Sequence, residues 1–511
     1  MKLGRLKKLL CCLTACAFLF TGCSASDANK PNDNNAQQEK QDKIVVGIPQ
    51  DFDSLDPHLS NATGTQEVMF NVFTGLVSPS SNGEIISEIA ESYTTNQDMT
   101  TYTFKLRKNV KFHDGSDLTA SDVKYSLDRV CGKTEDQKEP LSSAYANVID
   151  NVIAEDDYTV KINLTSTDAS FLSKMTLAII PENSGATQAE KPIGAGPYKF
   201  ISYTPGMSLT LEKNDDYYIE GQPKIQNAEF KIYSDMNAAV FALSNGEINY
   251  MNMTEDYISQ ISTDKFIIET YPMNTVQLLG LNNDFEPFKD IRVRQALNYA
   301  IDKDTIINML SKGAKKLGTN FSPVMPYYYQ DGLEDYYKYD IEKARQLLNE
   351  AGYSDLKFTC KVASEYKLNT EAAQIIQQQL LEVGVDMQIE TIDWGTWLED
   401  VYTNRNHEAT VIGFTGKLDP DGILKRYVSD YRKNFINFKN NDYDNLINKA
   451  AVEVNNDKRA EYYKQAETIL AEEASSVYIM DPSYQFVIDN RLEGYVFYPI
   501  NFIDLRTLQF K

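Results

Sequence analysis

The chain has 511 residues, 42% hydrophobic and 24% charged, which is the composition of a folded protein with room for about three domains. Its 73 acidic residues against 50 basic ones give a net charge of −23, which argues against nucleic acid or an anionic membrane surface as partners, since either needs a cationic footprint. Only three histidines occur, His58, His113 and His407, far apart in sequence, so neither a metal site nor a multi-histidine catalytic centre is expected, and no cofactor is implied.

In chain order, Lys2, Arg5, Lys7 and Lys8 precede an apolar stretch from Leu9 to Phe20 that is broken only by Thr14. Crossing a bilayer takes about 20 residues, so this shorter stretch fits the h-region of a secretory signal peptide. It runs into Thr21-Gly22-Cys23, which resembles the lipobox of a bacterial lipoprotein, with Phe20 where Leu is usual. Cys23 is therefore the expected lipidated residue and residues 1–22 the expected signal peptide. Leu13-Thr14-Ala15-Cys16 matches the same pattern, but cleavage there would leave only about six apolar residues for the h-region. Residues 23–43 are rich in Asn, Gln, Asp and Lys and read as a solvated tether. Losing residues 1–22 removes four positive charges and takes the net charge to −27. Cys131 and Cys360 read as packed free thiols rather than a disulfide.

The body opens with Lys43-Ile44-Val45-Val46-Gly47-Ile48, a β-branched run that predicts a buried strand. Tyr102, Phe104 and Leu106 alternate with polar neighbours and predict a half-buried strand, as do Leu209 with Leu211 and Phe230 with Ile232. Val293, Ala296, Leu297, Ala300 and Ile301 recur at helical spacing. Asp340 is the expected N-cap of a helix with Ile341, Ala344, Leu347 and Leu348 on its apolar face and Gly352 as its stop. Glu371 to Val383 predicts a further helix, ended by Gly384 and followed by the alternating strand Val385 to Ile389. Helices and strands interleave throughout with no solenoid repeat, so the class is α/β or α+β.

Five segments, in order, carry a resemblance. They are Ser54-Leu55-Asp56-Pro57-His58 leading to Asn71–Val77, the run Tyr102–Gly115 continued by Leu118–Val123, Pro192–Phe200, Asp290–Leu297, and Tyr339–Ala344. Together they resemble family 5 of the bacterial extracellular solute-binding proteins, the peptide- and nickel-type receptors of ABC importers. The Tyr102–Val123 stretch is the most specific; in Pro192–Phe200, Ala195 replaces the usual Thr. The resemblance implies a periplasmic-binding-protein type II-like fold, with two hinged lobes and an extra inserted domain. Lobe I would comprise 44–74, 193–275 and 481–511, the inserted domain 75–192, and lobe II 276–480. It also implies a monomeric receptor on the outer face of the bacterial membrane, touching it only through the lipid anchor and delivering a solute to the transmembrane subunits of a permease.

By the same resemblance, ligand contacts are expected in Thr391–Trp397 and Gly413–Gly422. Trp394 and Trp397 offer rigid surface for a pocket floor, against the alternative of core packing. Peptide-binding members carry an Asp after a Gly-Trp pair to meet the peptide's ammonium. Here Phe414 stands where Trp is usual, the loop is one residue shorter, and Lys417 falls near the Asp position. Either Asp419 or Asp421 takes the ammonium, or the ligand is not an ordinary free peptide, since Lys417 suits a carboxylate or phosphate. Asp-Pro-Asp-Gly is also plain turn chemistry. Thr415 and Gly416, Asn282 and Asn283 on the hinge side, and Tyr250 and Tyr498 complete the candidates. Nickel-type relatives place a His where Asp421 stands, which argues against a metal chelate.

No G-x-S-x-G elbow, H-E-x-x-H pair or phosphate-binding Gly-rich loop is present, and Gly194-Ala195-Gly196 lacks a third Gly. A glycosidase would need a pair of catalytic carboxylates, and no motif marks such a pair among the 73 acidic residues. The expectation is a non-enzymatic peptide receptor. The alternative is a receptor for another small solute, such as an oligosaccharide, on the same scaffold.

Overall fold

The structure, a computed structural model, describes residues 42–511. The expected signal peptide, Cys16, Cys23 and nearly all of the tether lie outside the described residues. Two large sheets and one smaller sheet organise the chain. The first sheet has seven strands in the order Phe266–Pro272, Ser483–Asp489, Tyr250–Met253, Lys43–Ile48, Asn227–Ile232, Ser208–Lys213 and Tyr198–Thr204. Lys43–Ile48 lies in its middle, parallel to both neighbours, which is why its β-branched run is buried on both faces. Leu209, Leu211 and Phe230 are fully buried, and each such side chain contributes about 1.5–3 kcal/mol.

Between the strands of this sheet the chain inserts a four-stranded antiparallel unit ordered Ala90–Thr95, Thr101–Leu106, Thr159–Leu164 and Ile149–Asp156. Tyr102, Phe104 and Leu106 point into its core, as their alternation predicts. The helix Ala120–Val130 covers it, started by a reciprocal capping box between Thr119 and Asp122. A buried ion pair joins this unit to the first sheet. Arg129 donates from Nη1 and Nη2 to the Asp56 carboxylate at 3.0 and 2.7 Å, and His58 donates from Nε2 to the Ala178 carbonyl at 2.9 Å. His113 fastens the unit again, with Nδ1 accepting from Gly194 N–H and Nε2 donating to the Gly196 carbonyl at 3.0 Å. A Cβ on Gly194 would lie 2.1 Å from the Val72 carbonyl oxygen, so only glycine permits this approach.

The second sheet has six strands ordered Lys315–Lys316, Ser476–Asp481, Thr275–Leu281, Ala409–Thr415, Lys357–Ala363 and Asp386–Ile392. Asp340 caps the helix Ile341–Ala351 by accepting from Lys343 N–H at 2.9 Å, and Gly352 ends it at φ +82°. The helix expected at 371–383 spans Lys367–Leu381 instead. Its first turn is tied to the sheet where Gln277 donates to the Asn369 side chain, a tertiary contact that local pattern does not contain. Cys131 and Cys360 are free and buried.

The chain passes between the two large sheets at Met273-Asn274 and again at Pro482. The crossings are adjacent: Met273 N–H donates to the Pro482 carbonyl at 2.8 Å, and Thr275 N–H donates to Asp481 at 2.8 Å. Burial raises the Asp481 carboxyl to about 7. Two adjacent crossings leave two lobes joined by a narrow waist, the arrangement of a hinge.

Candidate functional site

A cleft of about 1190 Å³ separates the lobes. The first lobe supplies Gln50 at the end of Lys43–Ile48, Gln66 and Glu67 from the helix Thr63–Met69, Asn252 from Tyr250–Met253, and Tyr484 and Asn501. The inserted unit contributes Tyr145, Ser173 and Lys174, and the second lobe supplies Thr275, Thr415, Gly416, Lys417, Asp419, Asp421, Arg426, Tyr431 and Lys433. The inserted unit and the first lobe each touch the second lobe at a flank. Ala169 N–H donates to the Ala451 carbonyl at 3.0 Å, and Lys367 Nζ pairs with Asp256 at 2.9 Å.

Three polar atoms in the cleft wall are buried without a hydrogen-bond partner: Asn252 Oδ1, Asp421 Oδ1 and Arg426 Nη1. Such atoms cost about 1–3 kcal/mol each when unmet, and they belong to wall residues of both lobes, so the wall holds polar groups that its own folding leaves unpaired. The charges divide by lobe. Glu67 makes no ion pair among the described residues, and burial raises its carboxyl to about 7 despite the Asn501 side chain. Lys174 is taken by Asp168 at 2.8 Å. Opposite, Asp419 is held by both Nη atoms of Arg459 at 2.8 and 2.7 Å. Asp421 lies 3.9 Å from Lys425, and its pKa is raised by burial. Lys417 has its pKa lowered by desolvation and then by Arg426 and Lys433.

Of the expected contacts, Thr415, Gly416, Lys417, Asp419 and Asp421 come together in the wall. A Cβ on Gly416 would lie 2.1 Å from Asn274 Oδ1, so the loop rests against the hinge. The other six do not line the cleft. Trp397 is 1% exposed and donates from Nε1 to Thr410 Oγ1 at 2.9 Å, which places it in the second lobe's core. Trp394 stacks on it at 5.0 Å and 7°, and meets Tyr366 edge-on. Asn282 donates to the His407 carbonyl at 2.7 Å and accepts from Asn437, while Asn283 bonds the Leu281, Ile436 and Ser475 carbonyls. These amides are spent on tying turns within the second lobe. Tyr250 is 5% exposed behind the wall, on the strand that presents Asn252. Tyr498 donates to Asp504 at 2.6 Å in the C-terminal segment. Asp419 lines the wall, but its charge is already met by Arg459, because the chain folds Arg459 back across the turn.

Glu67, Asn252, Arg426 and Lys433 were not among the residues singled out from sequence. Glu67 sits in an ordinary short helix, and Arg426 and Lys433 follow the loop without a motif. Only Asn252, a polar residue in an otherwise apolar strand, carried a local signal.

Among the described residues, no helix is long and apolar enough to cross a membrane. Residues 84–435 match the model of the bacterial extracellular solute-binding proteins, family 5 (middle). The chain is 28% identical to the oligopeptide-binding protein AppA of Bacillus subtilis over 532 aligned positions, covering 98% of this chain and 96% of that protein. It is 31% identical to the glutathione-binding protein GsiB of Pectobacterium atrosepticum, over 69% of each. The solved structure of the substrate-binding protein CtaP of Listeria monocytogenes superposes with a TM-score of 0.80 at 28% identity, over 92% of this chain and 99% of that one. AppA in complex with a nonapeptide gives 0.70 at 26% identity, over the same shares.

Proposed function

The chain belongs to family 5 of the bacterial extracellular solute-binding proteins, and we propose that its solute is a peptide held extended between the lobes. The observation that carries this reading is one large cleft lined from both lobes by polar side chains, three of which keep a buried polar atom unpaired. At about 1190 Å³ the cleft exceeds the ~300–1,000 Å³ of ordinary small-molecule pockets, which suits an oligomeric ligand. Gln50, Gln66, Asn252, Thr275, Thr415 and Asn501 offer donors and acceptors suited to a peptide backbone, a mode that tolerates varied side chains. AppA, seen with a nonapeptide, supports the same assignment by likeness.

In this reading the protein binds and releases without a catalytic step. Lobe I comprises 44–74, 193–275 and 481–511, the inserted domain 75–192, and lobe II 276–480. Cys23 carries the lipid, the tether keeps the monomeric receptor beside its permease on the outer face of the membrane, and closure presents the loaded cleft to the transmembrane subunits. Thr415, Gly416, Lys417 and Asp421 contact the ligand. A non-peptide solute bearing a carboxylate or phosphate is the second reading, favoured by the cations Lys417, Arg426 and Lys433.

Calorimetry of the unliganded protein with di- to hexapeptides, alongside native mass spectrometry of whatever co-purifies, tests this. Micromolar or tighter binding of several peptides is expected. Absence of binding by every peptide, with a non-peptide solute found in the purified protein, overturns the peptide reading.

A further inference from the structure

Four charged side chains in the cleft wall make no ion pair within the described protein, and they are segregated by lobe. Glu67 stands alone on the first lobe; Lys417, Arg426 and Lys433 share the second. The two acids nearest the cations are occupied or turned elsewhere, Asp419 by Arg459 at 2.7 Å and Asp421 toward Lys425 at 3.9 Å. Arg426 lies with its guanidinium carbon 4.5 Å over the Phe414 ring, which fixes the plane of the group and leaves Nη1 buried and unbonded. Lys417 packs its stem along Gly422, so its ammonium is presented from the same loop. Three like charges gathered in a partly enclosed wall repel one another, and an anion placed among them removes that cost.

We propose that Lys417, Arg426 and Lys433 form a subsite on the second lobe that takes the carboxylate terminus of the bound peptide. The assignment rests on the peptide reading above and gives the ligand a direction. Its carboxylate end faces the cationic loop of the second lobe, and its ammonium end faces the first lobe, where Glu67 is the unpaired acid. A peptide spanning both charges ties the lobes together, so recognition of the two ends and closure become one event. A guanidinium with its plane fixed over a ring meets a carboxylate with little loss of freedom, which makes Arg426 the principal contact and the two lysines its support.

The test uses tri- to hexapeptides built only from Gly, Ala, Leu and Phe, so that the terminus is the sole carboxylate. Each is prepared free, as the C-terminal amide, and N-acetylated, and titrated into the unliganded protein. Amidation is expected to weaken binding about tenfold or more. In the Lys417→Gln, Arg426→Gln double variant, the difference between free acid and amide should shrink to within about twofold, whatever the level at which both bind. Thermal melting verifies that the variant folds; the comparison of acid with amide on the unaltered protein stands without it. If free peptides and their amides bind equally well, the subsite assignment is overturned and the peptide reading survives. If no peptide binds in any form, the peptide reading falls and takes the assignment with it.

Discussion

Glu67 is a cleft residue whose environment its local sequence does not suggest. Its carboxyl is raised to about 7 by burial; the groups facing it are the Asn501 amide and the hydroxyls of Tyr250 and Tyr484. Below that value it is neutral and above it charged, so a ligand ammonium should bind more tightly as pH rises from about 6 to 8 and should displace a proton on binding. Calorimetry in buffers of different ionisation enthalpy should show proton release that vanishes in Glu67→Gln. Asp481 and Lys303 also titrate near 7, but neither lines the cleft, so release that persists in the variant would reassign it. The histidines are not candidates, since burial pushes all three to about 4. Trp397 is the opposite case, conspicuous in sequence and silent in the cleft. Trp397→Phe should lower stability by about 1–3 kcal/mol, through a smaller ring and the lost bond from the indole to Thr410, whose hydroxyl keeps only its donation to the Lys361 carbonyl, and leave peptide affinity unchanged. A denaturant midpoint beside a binding isotherm separates the two; lost affinity in a fully folded variant would return Trp397 to the binding surface.

At the scale of elements, the segments that carried the family resemblance are mostly joints. Asp56 of Ser54–His58 and Arg129 of the helix Ala120–Val130 form a buried pair, 1% and 5% exposed, across the boundary of the inserted unit. Removing one partner strands a charge, so Asp56→Ala should cost about 3–5 kcal/mol, whereas Arg129→Met with Asp56→Leu should cost far less. Thermal melting of the single and double variants checks this, and equal losses in both would point to packing instead of stranded charge. The strands and helices themselves were legible because each has one apolar face: Tyr102, Phe104 and Leu106 at a period of two, Ala344, Leu347 and Leu348 at helical spacing. Their ends were less legible. The helix Lys367–Leu381 begins before its predicted start because Asn369 is held by Gln277, which lies 92 positions away.

For the molecule as a whole, the second lobe meets the first through an exposed ion pair at one flank and the inserted unit through a backbone hydrogen bond at the other. Beside the waist of two crossings, Ser483 and Gln485 bond to Ser311 and Lys312. Lys367 and Asp256 are each 68% exposed, and such pairs are worth about 0–1 kcal/mol. Lys367→Glu should therefore leave the melting temperature unchanged and weaken ligand affinity by less than about fivefold, the effect shrinking as salt is raised. Small-angle scattering with and without peptide should still show compaction; a variant locked open would mean that this pair is the main latch. The sequence alone determined the class of fold, the acidic and histidine-poor character, and the loop at 415–421 as a place to look. Those properties are carried by local periodicity and by motifs whose residues are neighbours in the chain. Which side chains share the cleft was decided only by the tertiary structure. Arg459 neutralises Asp419 from 40 positions away, and Glu67 faces Lys417 and Arg426 across a gap that two hinge crossings create. The energy of a charge depends on its neighbours in space, and no local pattern along the chain records them.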